Sequence, residues 1–193
     1  MNNLIDVIKN RRSVRKYTDK VIAPALLEQV VEAATYAPSG MNNQFWHFCV
    51  LLSPTALEEL RITVRDFFRT LEMKEGMPPF FAVCKKNAAA DNFSFFYNAP
   101  ALILVSNRKG YPNAAADSAA AIQNGLLAAT ALGLGSCWIN TLTWIFDEPD
   151  IRQAISRLGV PDDHQICGAF ILGYADETPV AAPRKENLVT WVK

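Results

Sequence analysis

The sequence is poor in the side chains that build metal sites and disulfide scaffolds, and it has no excess of either charge. Its 193 residues include four cysteines and two histidines, and the cysteines lie far apart without a CxxC pair. This spacing argues against a zinc site and against a small disulfide-stapled domain. Nineteen Lys and Arg balance nineteen Asp and Glu, so no global charge favours nucleic acid or an anionic membrane. A bound anion would therefore need a local cluster of cations.

Charge is absent from one long stretch, because residues 118–146 contain no Asp, Glu, Lys, Arg or His across 29 positions. That length could span a bilayer, but the GLGS sequence at 133–136 interrupts the helical pattern. We predict a helix over 114–132, buried inside a large or dimeric core, followed by a turn and a strand near 137–139. Residues 1–12 lack the continuous apolar run of a signal peptide, so we expect a cytoplasmic protein without a membrane partner.

Elsewhere the hydrophobic pattern alternates between helical and strand periodicity. Helices are predicted over 3–10, 24–37, 53–71, 88–96 and 149–158, and strands over 45–52, 101–105 and 165–172. This alternation favours an α/β layer architecture. The length predicts one domain spanning 1–193, and the residues after Gly173 form a proline-punctuated arm that packs on another surface.

A basic cluster near the amino terminus is the first candidate for chemistry. It comprises Arg11, Arg12, Ser13 and Arg15. Several guanidinium groups beside a hydroxyl can hold a phosphate through bidentate hydrogen bonds. The alternative is a solvated basic turn without a ligand.

Two further candidates are uncharged. The loop PSGMNNQ at 38–44 offers hydroxyl and carboxamide groups that suit a neutral, planar heterocycle, although turns use the same residue types. The glycines of 133–136 close a helix, whereas a dinucleotide-binding fingerprint opens one after a strand. They form a helix cap or lie with their backbone against a ligand. No serine stands in a GxSxG setting, so a serine hydrolase is disfavoured.

In this order the segments resemble the FMN-dependent nitroreductase family. The matching pieces are RRSVRKY at 11–17, APSGMNNQFWHF at 37–48, NAP at 98–100, DSAAAIQN at 117–124, GLGSCW at 133–138, and Gly173-Tyr174 with Arg184-Lys185 downstream. The resemblance covers nearly the whole chain. It implies an α+β fold, a three-layer sandwich with a mixed central sheet, in an intertwined homodimer that binds two FMN molecules at the subunit interface.

The resemblance also implies a set of cofactor-binding residues. Arg11, Arg12 and Ser13, with Arg184, would hold the FMN phosphate and ribityl side, and Arg15 would lie near the pyrimidine end of the flavin. The other subunit would contribute Pro38, Ser39, Gly40, Asn42 and Gln44. Leu134, Gly135 and Ser136 would lie along the isoalloxazine ring. No metal and no side-chain nucleophile is required.

The implied activity is transfer of a hydride from NAD(P)H to a small electrophilic acceptor, such as a nitroaromatic or a quinone, by a ping-pong scheme. Phe45 departs from the family pattern, which has proline there. The aromatic segment 80–97 is either a lid over the site or ordinary core. Three alternatives stay open: an FMN storage or sensor protein with little turnover, a flavin enzyme with a specialised reaction such as dehalogenation, and a helical interaction or membrane-associated protein built around 118–146.

Overall fold

The computed structural model describes residues 3–193 and contains six α-helices and four β-strands. In chain order they are α1 Leu4–Asn10, α2 Pro24–Thr35, β1 His47–Leu51, α3 Pro54–Thr70, α4 Pro79–Ala88, β2 Ala101–Arg108, α5 Ala114–Ala131, β3 Gly135–Ile139, α6 Pro149–Arg157 and β4 His164–Gly173. All of the predicted elements except the helix over 88–96 are confirmed within a few residues.

Proline marks the start of four helices, namely α2, α3, α4 and α6. At the first helical position proline loses no hydrogen bond, and its fixed φ suits the helix. This explains why the predicted helix over 88–96 is wrong: α4 begins at Pro79 and its ten residues end at Ala88. The chain then passes through turns that place Tyr97 and Asn98 at φ values of 56° and 55°.

The strands form one sheet in the order β1-β2-β4-β3, and every neighbouring pair is antiparallel. The antiparallel pairing makes this an α+β fold, as the resemblance implied. Helices and strands do alternate along the chain, but the helices do not connect parallel neighbouring strands as they do in an α/β fold. Among the described residues, the parallel component of the sheet is one isolated bridge between Ser13 and Ser136. Strand β1 occupies one edge of the sheet.

Helices cover both faces of the sheet, which gives the three expected layers. Successive side chains of a strand point to opposite faces, and β2 is buried on both. Leu102 and Leu104 pack with α3, α4 and α6, whereas Ile103 and Val105 pack with α2 and α5. The sheet is therefore a buried, two-sided scaffold that holds the loops at its ends.

The uncharged stretch forms α5, a turn and β3, as predicted. Helix α5 buries one face, which includes Ala121, Ile122 and Leu126, against the sheet. The opposite face, with Asn124 and Leu127, is only partly covered in the single chain. Within residues 3–193 there is no helix with the length and apolar character needed to cross a membrane.

The aromatic segment 80–96 belongs to the core rather than to a lid. Phe68 of α3 is fully buried, and its ring meets those of Phe80, Phe81 and Phe93 with centroids 6.0–6.3 Å apart. Phe95 and Phe96 are also buried in this cluster. Of the six aromatic residues in these two stretches, 80–81 and 93–97, Tyr97 alone is largely exposed, with 43% of its surface accessible.

The Phe68→Ala substitution is expected to lower the free energy of unfolding by about 3–5 kcal/mol, because it leaves a cavity among rings that cannot fully collapse. Urea denaturation of the cofactor-free protein measures the change. The control is Val83→Ala on α4, whose side chain is 56% exposed and whose loss should cost less than about 0.5 kcal/mol. Equal effects of the two substitutions would contradict the assigned core.

Candidate functional site

The basic cluster of Arg11, Arg12, Ser13 and Arg15, called the basic segment below, lies along the edge strand β3 and the end of β4. Ser13 pairs with Ser136 in the parallel bridge, and the amide of Val14 donates to the carbonyl of Ser136 at 2.9 Å. Further along, Thr18 N donates to the carbonyl of Tyr174 at 2.9 Å. The structure thus brings two of the three predicted clusters together, the basic segment and residues 134–136.

Two glycines make this close approach possible. A Cβ on Gly135 would lie 3.0 Å from Cγ1 of Val14, and a Cβ on Gly173 would lie 2.5 Å from Cδ1 of Tyr17. Any side chain at either position would push the basic segment away from the sheet. Residues 133–134 also cap α5, since Leu134 N donates to the carbonyl of Ala129 at 2.8 Å, so the expected helix cap is confirmed; contact of this backbone with a ligand stays a prediction.

The guanidinium groups of the basic segment form no ion pairs among the described residues, although the carboxylate of Glu177 accepts a hydrogen bond from the main-chain amide of Arg15. Among residues 3–193, no ion pair involves Arg11, Arg12 or Arg15. One terminal nitrogen of Arg12 donates to the carbonyls of Lys9 and Arg11 at 2.8 and 2.7 Å, which fixes this guanidinium at the end of α1. Three arginines without ion pairs therefore lie within five residues of a chain that has no net charge.

The thiol of Cys137 in β3 lies close enough to Arg11, Ser13 and Arg15 for them to affect its pKa. Burial raises the pKa of its thiol, while Arg15, a hydrogen bond with Ser13, and Arg11 act in the opposite direction. The guanidinium carbon of Arg15 also lies 5.6 Å from the ring centroid of Tyr97, within the range of a cation–π contact. The basic segment is therefore a neighbour of both β3 and Tyr97.

Ser136 has a buried hydroxyl oxygen without a hydrogen-bond partner in the described part of the chain. Such atoms are rare in native structures and call for a specific explanation.

The predicted ligand Arg184 lies in the exposed segment 180–193. Across residues 3–193, no hydrogen bond or ion pair joins Arg184 to the basic segment, so its contact with a phosphate stays a prediction.

The loop 38–44 is held by hydrogen bonds of its own. The amide of Gln44 donates to Oγ of Ser39 at 3.1 Å, and its side-chain amide donates to Oδ1 of Asn42 at 3.0 Å. Met41, Asn42 and Gln44 have φ values of 53°, 55° and 50°. Non-glycine residues in this left-handed region cost about 1–3 kcal/mol each and persist only where neighbours restrain them.

Phe45 is one of these restraints. Its ring lies under the guanidinium of Arg108, whose central carbon is 4.0 Å from the ring centroid, and meets the edge of Tyr111 at 5.2 Å. These are a cation–π contact and a T-shaped aromatic pair. The residue that departs from the family pattern therefore ties the loop to the turn between β2 and α5.

Two other supports of the loop were not identified from the sequence. The amide of Gly40 donates to both carboxylate oxygens of Asp117 at 3.2 Å, and the hydroxyl of Tyr111 donates to the same carboxylate at 3.0 Å. One signal was available in advance: Asp117 is the last charged residue before the uncharged stretch 118–146. A single acidic residue at the start of a buried, uncharged stretch indicates that its carboxylate has a specific hydrogen-bond partner.

The loop does not meet the basic segment within one chain. It contacts the start of α5 through Asp117, whereas residues 134–136 follow the end of the same helix. Helix α5 has 18 residues and so is about 27 Å long at 1.5 Å per residue. The predicted site residues accordingly fall into two groups at opposite ends of α5.

A well-formed pocket lies elsewhere. It measures about 530 Å³ and is lined by Tyr17, Leu27, Leu57, Phe96 and Pro100, among others. None of the predicted cofactor-binding residues lines it. The candidate site is therefore an open surface in the single chain rather than a closed pocket.

Comparison with known proteins gives the same family as the sequence segments. The sequence model of the Nitroreductase family matches residues 8–174. A Methanothermobacter thermautotrophicus protein provisionally named NADH dehydrogenase/NAD(P)H nitroreductase is 31% identical over 185 residues, which cover 92% of this chain and 80% of the relative.

Solved structures agree at the level of the fold. A Bacteroides fragilis nitroreductase with bound FMN is 36% identical and superposes with a TM-score of 0.89 over 100% of both chains. Oxidized iodotyrosine deiodinase bound to FMN and 3-iodo-L-tyrosine is similar in fold alone, at 24% identity and a TM-score of 0.71 over 99% of this chain and 100% of that one. The resemblance drawn from the sequence is confirmed, and the chain belongs to the nitroreductase family.

Proposed function

We propose that this protein is a homodimeric, FMN-dependent oxidoreductase that transfers a hydride from NAD(P)H to a small electrophilic acceptor such as a nitroaromatic or a quinone. The observation that carries the proposal is the cluster of unpaired guanidinium groups held against β3 by Ser13 and Val14. Bound FMN would supply the redox chemistry, since its ring system accepts and donates hydride. The residues of this chain bind and orient it.

The donor groups of the basic segment fit a phosphate ester. Arg11 and Arg12 are free of ion pairs in the described chain, and Ser13 adds a hydroxyl beside them. Guanidinium groups bind phosphate oxygens bidentately. The restraint of Arg12 by two backbone carbonyls orders one donor in advance, which reduces the entropy lost on binding.

We assign Arg15 a different task. Its main chain is anchored by the carboxylate of Glu177, and its side chain lies beside Tyr97. A guanidinium near the pyrimidine edge of a flavin stabilises negative charge there and raises the reduction potential. Arg15 would therefore favour acceptance of the hydride without itself exchanging a proton.

The donors of loop 38–44 would come from a second copy of the chain. Because α5 separates the loop from the basic segment, a site that uses both groups needs two chains related by a two-fold axis, which generates two identical sites. An apolar groove of about 520 Å³ between α1, α2 and α5 supports such pairing, with Leu4, Tyr36 and Leu127 among its lining residues. Exposed apolar patches of this kind mark protein interfaces.

Turnover is favoured over storage or sensing of FMN. The storage hypothesis relied on Phe45 and the aromatic segment to block the acceptor face. Phe45 is instead engaged by Arg108 and Tyr111, and the phenylalanines of 80–96 pack in the core. An exposed ring at Tyr97 leaves the surface beside Arg15 accessible to a planar acceptor.

The purified protein is expected to be yellow, or to become so on addition of FMN, and its visible flavin absorption should bleach within seconds when NADH or NADPH is mixed in anaerobically. Subsequent addition of a nitroaromatic or a quinone should restore the colour, while iodotyrosine serves as the comparison for dehalogenation. Protein that stays colourless with FMN would refute cofactor binding. Yellow protein that neither nucleotide bleaches would refute the reductase.

The double substitution Arg11→Ala and Arg184→Ala is expected to raise the dissociation constant for FMN at least tenfold. Each hydrogen bond to a charged group contributes about 1.5–3 kcal/mol, and a factor of ten corresponds to about 1.4 kcal/mol. Quenching of flavin fluorescence measures the affinity. Lys86→Ala with Arg157→Ala, which removes two exposed cations elsewhere, is the control and should leave it unchanged. Equal affinities of both double variants would refute the phosphate assignment.

Subunit mixing tests whether the site is shared. A Cβ on Gly40 would lie 2.2 Å from Nδ2 of Asn113 and 2.7 Å from Oη of Tyr111, so Gly40→Ala should displace the loop. In a heterodimer of one Arg11→Ala subunit and one Gly40→Ala subunit, one site combines both intact segments and the other combines both altered ones. We expect one tightly bound FMN per heterodimer, and weak binding by either homodimer, in spectrophotometric titrations. A heterodimer that binds no FMN tightly would place both segments of each site in a single chain.

A further inference from the structure

Asp117 is the only charged side chain among the buried residues of the described chain, and it is 6% exposed. It stands in the first turn of α5, where negative charge interacts favourably with the helix dipole. No Lys or Arg pairs with it in an ion pair within residues 3–193. A buried carboxylate without a cation is costly unless hydrogen bonds compensate it.

Hydrogen bonds from loop 38–44 and from Tyr111 compensate the burial of this carboxylate. The side-chain hydrogen bonds of Asp117 come from the amide of Gly40, which reaches both carboxylate oxygens, and from the hydroxyl of Tyr111. None of these donors is an amide of α5, so the carboxylate is not engaged by its own helix. The burial of Asp117 is therefore coupled to the position of a loop 77 residues away in the sequence.

Tyr111 extends this coupling to the rest of the loop. Its hydroxyl oxygen lies 3.3 Å from the carbonyl oxygen of Gly40 and accepts a long hydrogen bond, 3.5 Å, from the side-chain amide of Asn43. Between these anchors lie Met41 and Asn42, both in the left-handed region. A loop in such a conformation keeps it only where surrounding groups determine it.

We propose that Asp117 is a positioning residue: with Tyr111 it holds loop 38–44 in the conformation that contacts the FMN bound mainly by the other subunit. The inference rests on the proposed function and extends it to residues that do not themselves touch the cofactor. The carboxylate acts as a hydrogen-bond acceptor in this role, so its charge is not what the loop requires. Asparagine retains an acceptor for the amide of Gly40, whereas alanine leaves that amide and the Tyr111 hydroxyl without their partner.

The substitutions Asp117→Ala, Asp117→Asn and Tyr111→Phe test the proposal through the dissociation constant for FMN, measured by fluorescence quenching. We expect an increase of at least about tenfold for Asp117→Ala and about three- to tenfold for Tyr111→Phe, because hydrogen bonds that hold the loop are lost. Asp117→Asn should stay within about threefold of the unaltered protein. The matched control is Asp150→Ala, which removes an exposed acid from the first turn of α6 and should change nothing.

Heterodimers separate positioning from general stability. When an Asp117→Ala subunit is paired with an Arg11→Ala subunit, the loop of the second subunit completes the site of the first. Positioning predicts one FMN per dimer with the affinity of the unaltered protein. A loss of general stability would weaken both sites. If Asp117→Ala does not fold alone, the Tyr111→Phe subunit takes its place in the same pairing.

Several results would overturn the proposal. These are unchanged FMN affinity in Asp117→Ala, equal losses in Asp117→Ala and Asp117→Asn, a loss in Asp150→Ala as large as that in Asp117→Ala, or a heterodimer in which neither site recovers. Failure of the proposed function looks different. In that case the unaltered protein itself does not bind FMN, or the Gly40→Ala pairing with Arg11→Ala gives no intact site, and the positioning role falls with it.

Discussion

The length of α5 is the constraint from which the organisation of this molecule follows. The helix carries the loop 38–44 at its start through the Asp117–Gly40 hydrogen bonds, and it delivers residues 134–136 to the sheet edge at its end. Two groups of ligand-binding character are thus separated by about 27 Å. Neither forms a closed pocket in the single chain. The same helix leaves an apolar face partly open, so one element accounts for both the divided site and the surface suited to a second copy.

Electrostatics in this protein are local. The basic segment beside β3 holds three arginines without ion pairs among the described residues, and the buried carboxylate of Asp117 is held by hydrogen bonds rather than by a cation. The arginines are therefore available to an anionic ligand, whereas the carboxylate of Asp117 is already engaged by Gly40 and Tyr111. Overall neutrality, which excludes nonspecific anion binding, is compatible with a tight local anion site.

Secondary structure was predictable where periodicity and proline coincide. Pro24, Pro54 and Pro149 begin helices as expected, but Pro79 shows the limit of that reasoning. It follows Gly76 and another proline, a sequence equally typical of a helix end, and the aromatic residues after it have no clear period. Their burial against Phe68 is a tertiary effect. A prediction from local pattern could not distinguish that core from a lid.

Candidate cofactor-binding residues could be proposed from short segments, because these segments resemble the nitroreductase family, and their contact with FMN stays a prediction. Their separation into two groups, the role of Phe45 against Arg108, and the supporting contacts of Tyr111 and Asp117 emerged only in three dimensions. Composition and periodicity describe neighbours along the chain, within a turn of helix or a few residues of strand. A hydrogen bond between residues 77 positions apart leaves no such pattern, since it arises only when packing brings the two ends together.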